Sequence, residues 1–119
     1  MQLTSFLPAF AATMVIMALI DAPWLWFTVN VVKDPFYTTG GDMKLWAAVI
    51  VYIALAYLLL RQTNVKDAFL TGAATYAVYD FTVLAVRNDF RWTSAVLDTL
   101  WGGVLFAASF RLLQIFNMK

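Results

Sequence analysis

The chain has 119 residues, 63% of them hydrophobic and 13% charged, with a formal net charge of +1 and a mean hydropathy of +0.77. A soluble domain averages nearer ~45–50% apolar and ~25% charged residues, so this is the composition of an integral, multi-pass membrane protein. It holds no Cys and no His, and all seven acidic residues are Asp. Disulfides, thiolate nucleophiles, zinc–thiolate sites, imidazole bases and ordinary haem ligation are therefore excluded, and no cofactor is expected. The near-neutral charge points to no nucleic-acid partner; the lipid bilayer is the expected surrounding.

The first apolar run, Leu3–Val32, carries only Asp21. It lacks the basic leader of a signal peptide, and Pro23-Trp24 is a poor cleavage context, so it reads as a spanning helix over about 3–30. Pro23 should kink it or thin its hydrogen bonding just after Asp21. The following stretch "VVKDPFYTTGGD" offers Lys33, Pro35, Gly40, Gly41 and Asp42, all turn chemistry, with Phe36 and Tyr37 suited to the membrane interface.

A second helix covers about 43–61, its Leu45–Leu60 core uncharged and carrying Trp46, Tyr52 and Tyr57. The short polar linker "RQTNVKD" predicts that the second and third helices pack as an antiparallel hairpin, with Thr63 or Asn64 as cap. The third helix spans about 66–87 and carries Asp80 deep in its apolar run; the fourth spans about 92–116 and carries Asp98. Only helices or closed barrels satisfy their backbones in lipid, and no period-2 alternation supports a barrel. The expected fold is all-α, a single four-helix transmembrane domain over 1–119. Lys33, Lys44, Arg87 and Arg91 fall on one side and Arg61, Lys66, Arg111 and Lys119 on the other, so positive charge casts no vote on orientation.

An ionisable side chain at bilayer depth costs at least ~2.5–3.5 kcal/mol on insertion scales. Counting ~1.5 Å per residue places Asp21, Asp80 and Asp98 at one common depth, displaced toward the side of the first and third connections. The second helix supplies no carboxyl and is expected to be peripheral. Asp80 shares a helix face with Tyr76, Ala73 and Gly72; Asp98 shares one with Trp101, Gly102, Leu105 and Ser109; Asp21 shares one with Met14, Met17, Trp24 and Thr28. These faces are expected to converge on a polar interior lined by aromatic residues, with small residues letting the third and fourth helices approach closely. Burial and mutual repulsion would leave the group holding a proton at neutral pH. The bland alternative is that each Asp caps a helix or pairs with an interfacial Arg such as Arg87 or Arg91. Trp26, Tyr37, Trp46 and Trp92 read as interface-belt residues, and Arg111 as a snorkelling charge.

In order along the chain stand "DAPWL" (Asp21–Leu25), "PFY" with a following glycine (Pro35–Gly41), "YAVYDFTVLA" (Tyr76–Ala85) and "LDTLWGG" (Leu97–Gly103). Together they resemble the signatures D-x-x-W-L, F-Y with glycine after it, Y-D-[LF]-T-N-[LF]-A and D-x-x-W-G of a small membrane-protein family catalogued as domain of unknown function 2177. The resemblance covers essentially the whole chain and implies four transmembrane helices. The family's marked positions fall on Asp21, Trp24, Phe36, Tyr37, Tyr79, Asp80, Thr82, Asp98, Trp101 and Gly102. Val83 departs from the Asn usual there, and Gly-Gly stands in the first loop where Leu-Gly is expected; without that Asn the site would be drier or differently tuned.

The site expected from these readings is a cation, proton or ligand site of Asp21, Asp80 and Asp98, supported by Trp24, Tyr76, Tyr79, Thr82, Trp101 and Gly102. The first reading is a proton or cation channel, or a transporter of a small solute, working as a homo-oligomer. The alternative is a structural or accessory membrane protein whose Asp, Tyr and Trp side chains fix helix packing. An enzymatic reading, two carboxyls sharing a proton as in intramembrane aspartyl proteases, lacks the glycine-x-glycine-Asp motif. Metal ligation by the three carboxylates stays open, with Mg²⁺ or Ca²⁺ as the suitable ions.

Overall fold

A computed structural model describes residues 3–38 and 44–117, with side chains from Leu7 onward except those of Tyr37 and Thr38. The expectations for Gly40, Gly41, Asp42, Met43 and Lys119, and for the Tyr37 side chain, lie outside the described residues. The described chain is helical: α1 (Leu3–Phe27), a π-helical continuation over Thr28–Val32, a single turn α2 (Pro35–Thr38), then α3 (Leu45–Leu60), α4 (Val65–Val86) and α5 (Trp92–Ile115). Three stretches are long and apolar enough to cross a membrane: Leu7–Val32, Val65–Val86 and Trp92–Ile115. The fourth, α3, is apolar and has 16 residues, or about 24 Å of helix against a hydrocarbon core of ~30 Å. The longest dimension is 46 Å, close to the ~40–45 Å of a bilayer with its headgroups.

Local chemistry explains the ends. Asn64 caps α4, its Oδ1 accepting from the Asp67 amide at 2.8 Å while its Nδ2 donates to Asp67 Oδ2 at 2.8 Å. α1 runs unbroken through Pro23. Its hydrogen-bond register widens later, where the Lys33 amide reaches back to the Thr28 carbonyl at 3.0 Å and Lys33 turns left-handed at φ 51°.

Lateral order in the bundle is α4, α5, α1, α3. α4 packs almost wholly on α5; α1 packs on both α5 and α3, and α3 also touches α5. The expected hairpin of the second and third helices is thus corrected: α3's principal neighbour is α1, because its Leu55 and Leu59 join Met17, Leu105, Phe106 and Phe110 in one buried cluster. A short linker keeps two helices near each other but does not choose their contact faces. Gly72 and Gly102 face each other across the α4–α5 seam. A Cβ on Gly72 would run into the Gly102 carbonyl and lie 2.7 Å from Phe106 Cβ; one on Gly102 would lie 2.6 Å from the Gly72 carbonyl. The two backbones approach because neither residue has a side chain. Elsewhere large apolar residues such as Leu19, Val78, Val86 and Ile115 point outward, as lipid permits.

Candidate functional site

At the other end of α5 from that apolar cluster, the carboxyls expected from sequence take their places. Asp21 is 6% exposed and Asp80 fully buried. Asp21 on α1 accepts from Trp101 Nε1 of α5 at 2.7 Å and from the Tyr52 hydroxyl of α3 at 2.6 Å. Asp98 on α5 accepts from Trp24 Nε1 of α1 at 2.9 Å. The two indoles stack, centroids 5.2 Å apart and planes 10° apart. Each helix offers an Asp and, three residues on, a Trp, and the helices run antiparallel; the Asp of each therefore meets the Trp of the other. A buried carboxylate needs donors, and an indole N–H provides one at the end of an apolar ring that packs well.

Asp80 is different. Neither of its oxygens receives a hydrogen bond from an N–H or hydroxyl donor among the described residues, and the side chain it meets is the carboxyl of Asp98, within hydrogen-bonding reach. Carboxylates accept but do not donate, so this contact becomes a hydrogen bond only when one of the two carries a proton. Val83, one turn on from Asp80, has no donor to offer. Tyr76 lies on the same side of α4, half-enclosed and within electrostatic reach of Asp21, Asp98, Tyr52 and Asp80.

The three expected carboxyls therefore do not form one cluster. Asp80 and Asp98 meet, while Asp21 is joined to them through the stacked indoles. No group of three acidic residues close enough to hold a metal ion occurs among the described residues. Trp24, Trp101, Tyr76 and Gly102 belong to the assembly. Tyr79 points outward at 57% exposure and Thr82 is also exposed, so neither supports the carboxyls by a described hydrogen bond. The bland pairing with interfacial arginines is not what forms: Arg87 binds Asp89 at 2.6 Å and Arg91 binds Asp34 at 3.3 Å.

Two residues escaped the sequence reading. Tyr52 was visible only as an amphipathic member of an otherwise uncharged helix, yet it is the donor α3 brings to Asp21. Its position one face from Leu55 and Leu59 was the available signal. Asp34, which lies in the first connection and was not singled out, is fully buried. Its Oδ1 accepts from the Phe36 amide at 2.9 Å, and its Oδ2 from the Arg91 amide at 2.9 Å and Ser94 Oγ at 2.7 Å. Burial alone would push this carboxyl up, but the converging donors from Arg91, Ser94 and Phe36 outweigh it and hold Asp34 below its ordinary 3.8. Phe36, expected at the membrane interface, packs on Phe90 at 5.1 Å and under the Arg87 guanidinium at 5.3 Å. The first and third connections are thereby clasped together, directly above the carboxyl level. An apolar crevice of about 220 Å³ lies between α1 and α3, lined by Met14, Val15, Ala18, Val49 and Tyr52.

A family model described as "Predicted membrane protein (DUF2177)" matches residues 6–112. The chain belongs to this family. The matched span takes in the Asp and Trp residues of α1 and α5, the buried Asp80 and the Asp34 clasp, so the DUF2177 assignment covers every element that builds the site. No curated protein and no solved structure matches the chain.

Proposed function

We propose that this membrane protein handles protons or small cations at the Asp80–Asp98 carboxyl pair, as a small channel or transporter. The observation that carries the reading is the Asp80 side chain, enclosed completely yet given no hydrogen-bond donor among the described residues. A carboxyl kept at bilayer depth costs at least ~2.5–3.5 kcal/mol on insertion scales. A group that only fixed packing would be repaid by donors, as Asp21 is. A carboxyl facing a second carboxyl instead holds an exchangeable proton, and releasing it leaves two acceptors facing one position that suits a cation. Four helices are thin walls for an enclosed pathway, so the working form would be a homo-oligomer.

A packing role is the second reading, and it is favoured at Asp21 by its two short bonds from Trp101 and Tyr52. On this view the Trp24–Trp101 crossover is the frame and Asp80–Asp98 the working part. Aspartyl-dyad catalysis also needs two carboxyls in contact, but the chain lacks the glycine-x-glycine-Asp motif of intramembrane aspartyl proteases.

Reconstitution of wild type and Asp80→Asn in liposomes, with proton and monovalent-cation flux followed under an imposed potential, tests the proposal. Conduction by wild type that Asp80→Asn abolishes, at equal thermal stability, supports it. Equal flux through both, or none through either while both are folded, refutes it.

A further inference from the structure

Among the described residues, five of the seven buried polar or charged side chains are Thr13, Asp21 and Thr28 of α1 and Ser94 and Ser109 of α5. They lie in one seam. The Trp24–Asp98 and Trp101–Asp21 bonds fix the register of these antiparallel helices. One turn along each helix toward the clasp sets Thr28 level with Ser94; one and two turns the other way set Met17 level with Leu105 and Thr13 level with Ser109. From Ser94 to Ser109 the seam runs about 22 Å at ~1.5 Å per residue, most of a ~30 Å hydrocarbon core. Polar side chains between membrane helices commonly bond helix to helix, and three of these do not. The Thr13 and Thr28 hydroxyls donate to carbonyls of their own helix, Ala9 at 2.7 Å and Leu25 at 2.9 Å. Ser109 Oγ is fully buried and has no partner among the described residues. Within the seam only the level of Met17 and Leu105, both fully buried, is apolar.

We infer that the α1–α5 seam is the path by which protons leave the carboxyl pair for the far face, with Met17 and Leu105 as its apolar gate and the Thr13 and Ser109 hydroxyls as the station beyond it. This path rests on the proton handling proposed for Asp80 and Asp98. Tyr76, within electrostatic reach of Asp80, Asp98 and Asp21, carries the step around the stacked indoles. A hydroxyl accepts one proton as it gives up another, so none is consumed along the way. An apolar constriction stops conduction by staying dry. Met17 is the side chain that swings, being unbranched with three rotatable bonds, and water then bridges the about 12 Å between the levels of Asp21 and Thr13. Beyond the gate the seam holds hydroxyls and no carboxylate, which suits protons and gives a metal cation nothing to replace its hydration.

The test is proton flux through the full chain in liposomes under an imposed potential. Ser109→Ala should lower it severalfold at an unchanged thermal midpoint, because the hydroxyl it removes has no bond to lose. Leu105→Asn and Met17→Gln, close in volume but polar, should each raise it, and adding Asp80→Asn should abolish the gain. The chain has no Cys, so Ag⁺, which binds thiols, should block Ser109→Cys and spare wild type. Asp80-dependent flux that Ser109→Ala, both gate variants and Ag⁺ on Ser109→Cys leave unchanged would overturn the path while the carboxyl pair stands. No flux through wild type or through either folded gate variant would overturn both.

Discussion

The Trp24 and Trp101 indoles lie stacked 5.2 Å apart, and each donates its N–H to the aspartate of the other's helix. α1 and α5 are thereby joined by two hydrogen bonds and one ring contact at a single level. Stacking of this kind contributes ~0.5–1.5 kcal/mol beyond area burial, and a hydrogen bond to a charged group ~1.5–3 kcal/mol.

Trp101→Phe keeps a ring in the stack but removes the donor to Asp21. It should cost about 1.5–3 kcal/mol, read as a lower thermal midpoint in detergent. Trp24→Phe should do the same to Asp98. Because the two act in one assembly, the double variant should lose measurably less than the sum; strict additivity would mean the two bonds are independent.

Asp21→Asn and Asp80→Asn should part company in stability. The first replaces an acceptor of two short bonds by an amide that matches them poorly, and a loss of about 1–3 kcal/mol is expected. The second replaces a carboxyl lacking a donor by an amide whose N–H can donate to Asp98 without a proton being present. Its thermal midpoint should be unchanged or higher. Equal destabilisation by both would place Asp80 in the packing network rather than in a working site.

Gly102→Ala and Gly72→Ala are expected to be damaging although Ala is the better helix former. The added Cβ meets the opposing backbone and the Tyr76 or Phe106 side chain, and overpacking of this kind costs about 1–3 kcal/mol. Ala74→Gly, on an exposed face of the same helix, loses only the ~1 kcal/mol of helix propensity. Denaturation in mild detergent separates the two effects.

Asp34 should make the clasp between the first and third connections sensitive to acid. Its folded-state pKa is depressed below 3.8, so its contribution is complete above the unfolded value and is lost as pH falls through the lower folded one. Stability measured from pH 6 downward should stay flat to about pH 5 and then fall below about pH 4. In Asp34→Asn that acid-dependent loss should shrink, while the variant is less stable at neutral pH because Ser94 Oγ and the Arg91 amide lose a charged acceptor. A wild-type profile with the same slope as Asp34→Asn would remove Asp34 from the account.

Much of the site was legible as one-dimensional information. Asp21, Asp80 and Asp98 stand out because each interrupts an apolar run that the bilayer requires, and counting residues from the helix ends put them at one depth. Their three-residue spacing to Trp24 and Trp101 was also readable, as was the closeness implied by Gly72 and Gly102. Partners were not. Whether Trp24 would serve Asp21 on its own helix or Asp98 on another depended on α1 lying beside α5. Tyr52 and Asp34 did not stand out for the same reason, since a tyrosine in an apolar helix and an aspartate beside a proline have many innocent uses.

The amino-acid sequence by itself determined the solvent, the number of helices and which ionisable groups interrupt their apolar runs, because transfer free energy acts along the membrane normal and each residue carries its own share. Only the tertiary structure decided that α3 sits against α1, that Asp80 faces Asp98, and that the two Asp–Trp pairs cross. Those are relations in the membrane plane, where every outward face is equally apolar and hydropathy cannot rank neighbours. There the choice falls to close packing at Gly72 and Gly102 and to the few hydrogen-bond donors within reach of a buried carboxyl.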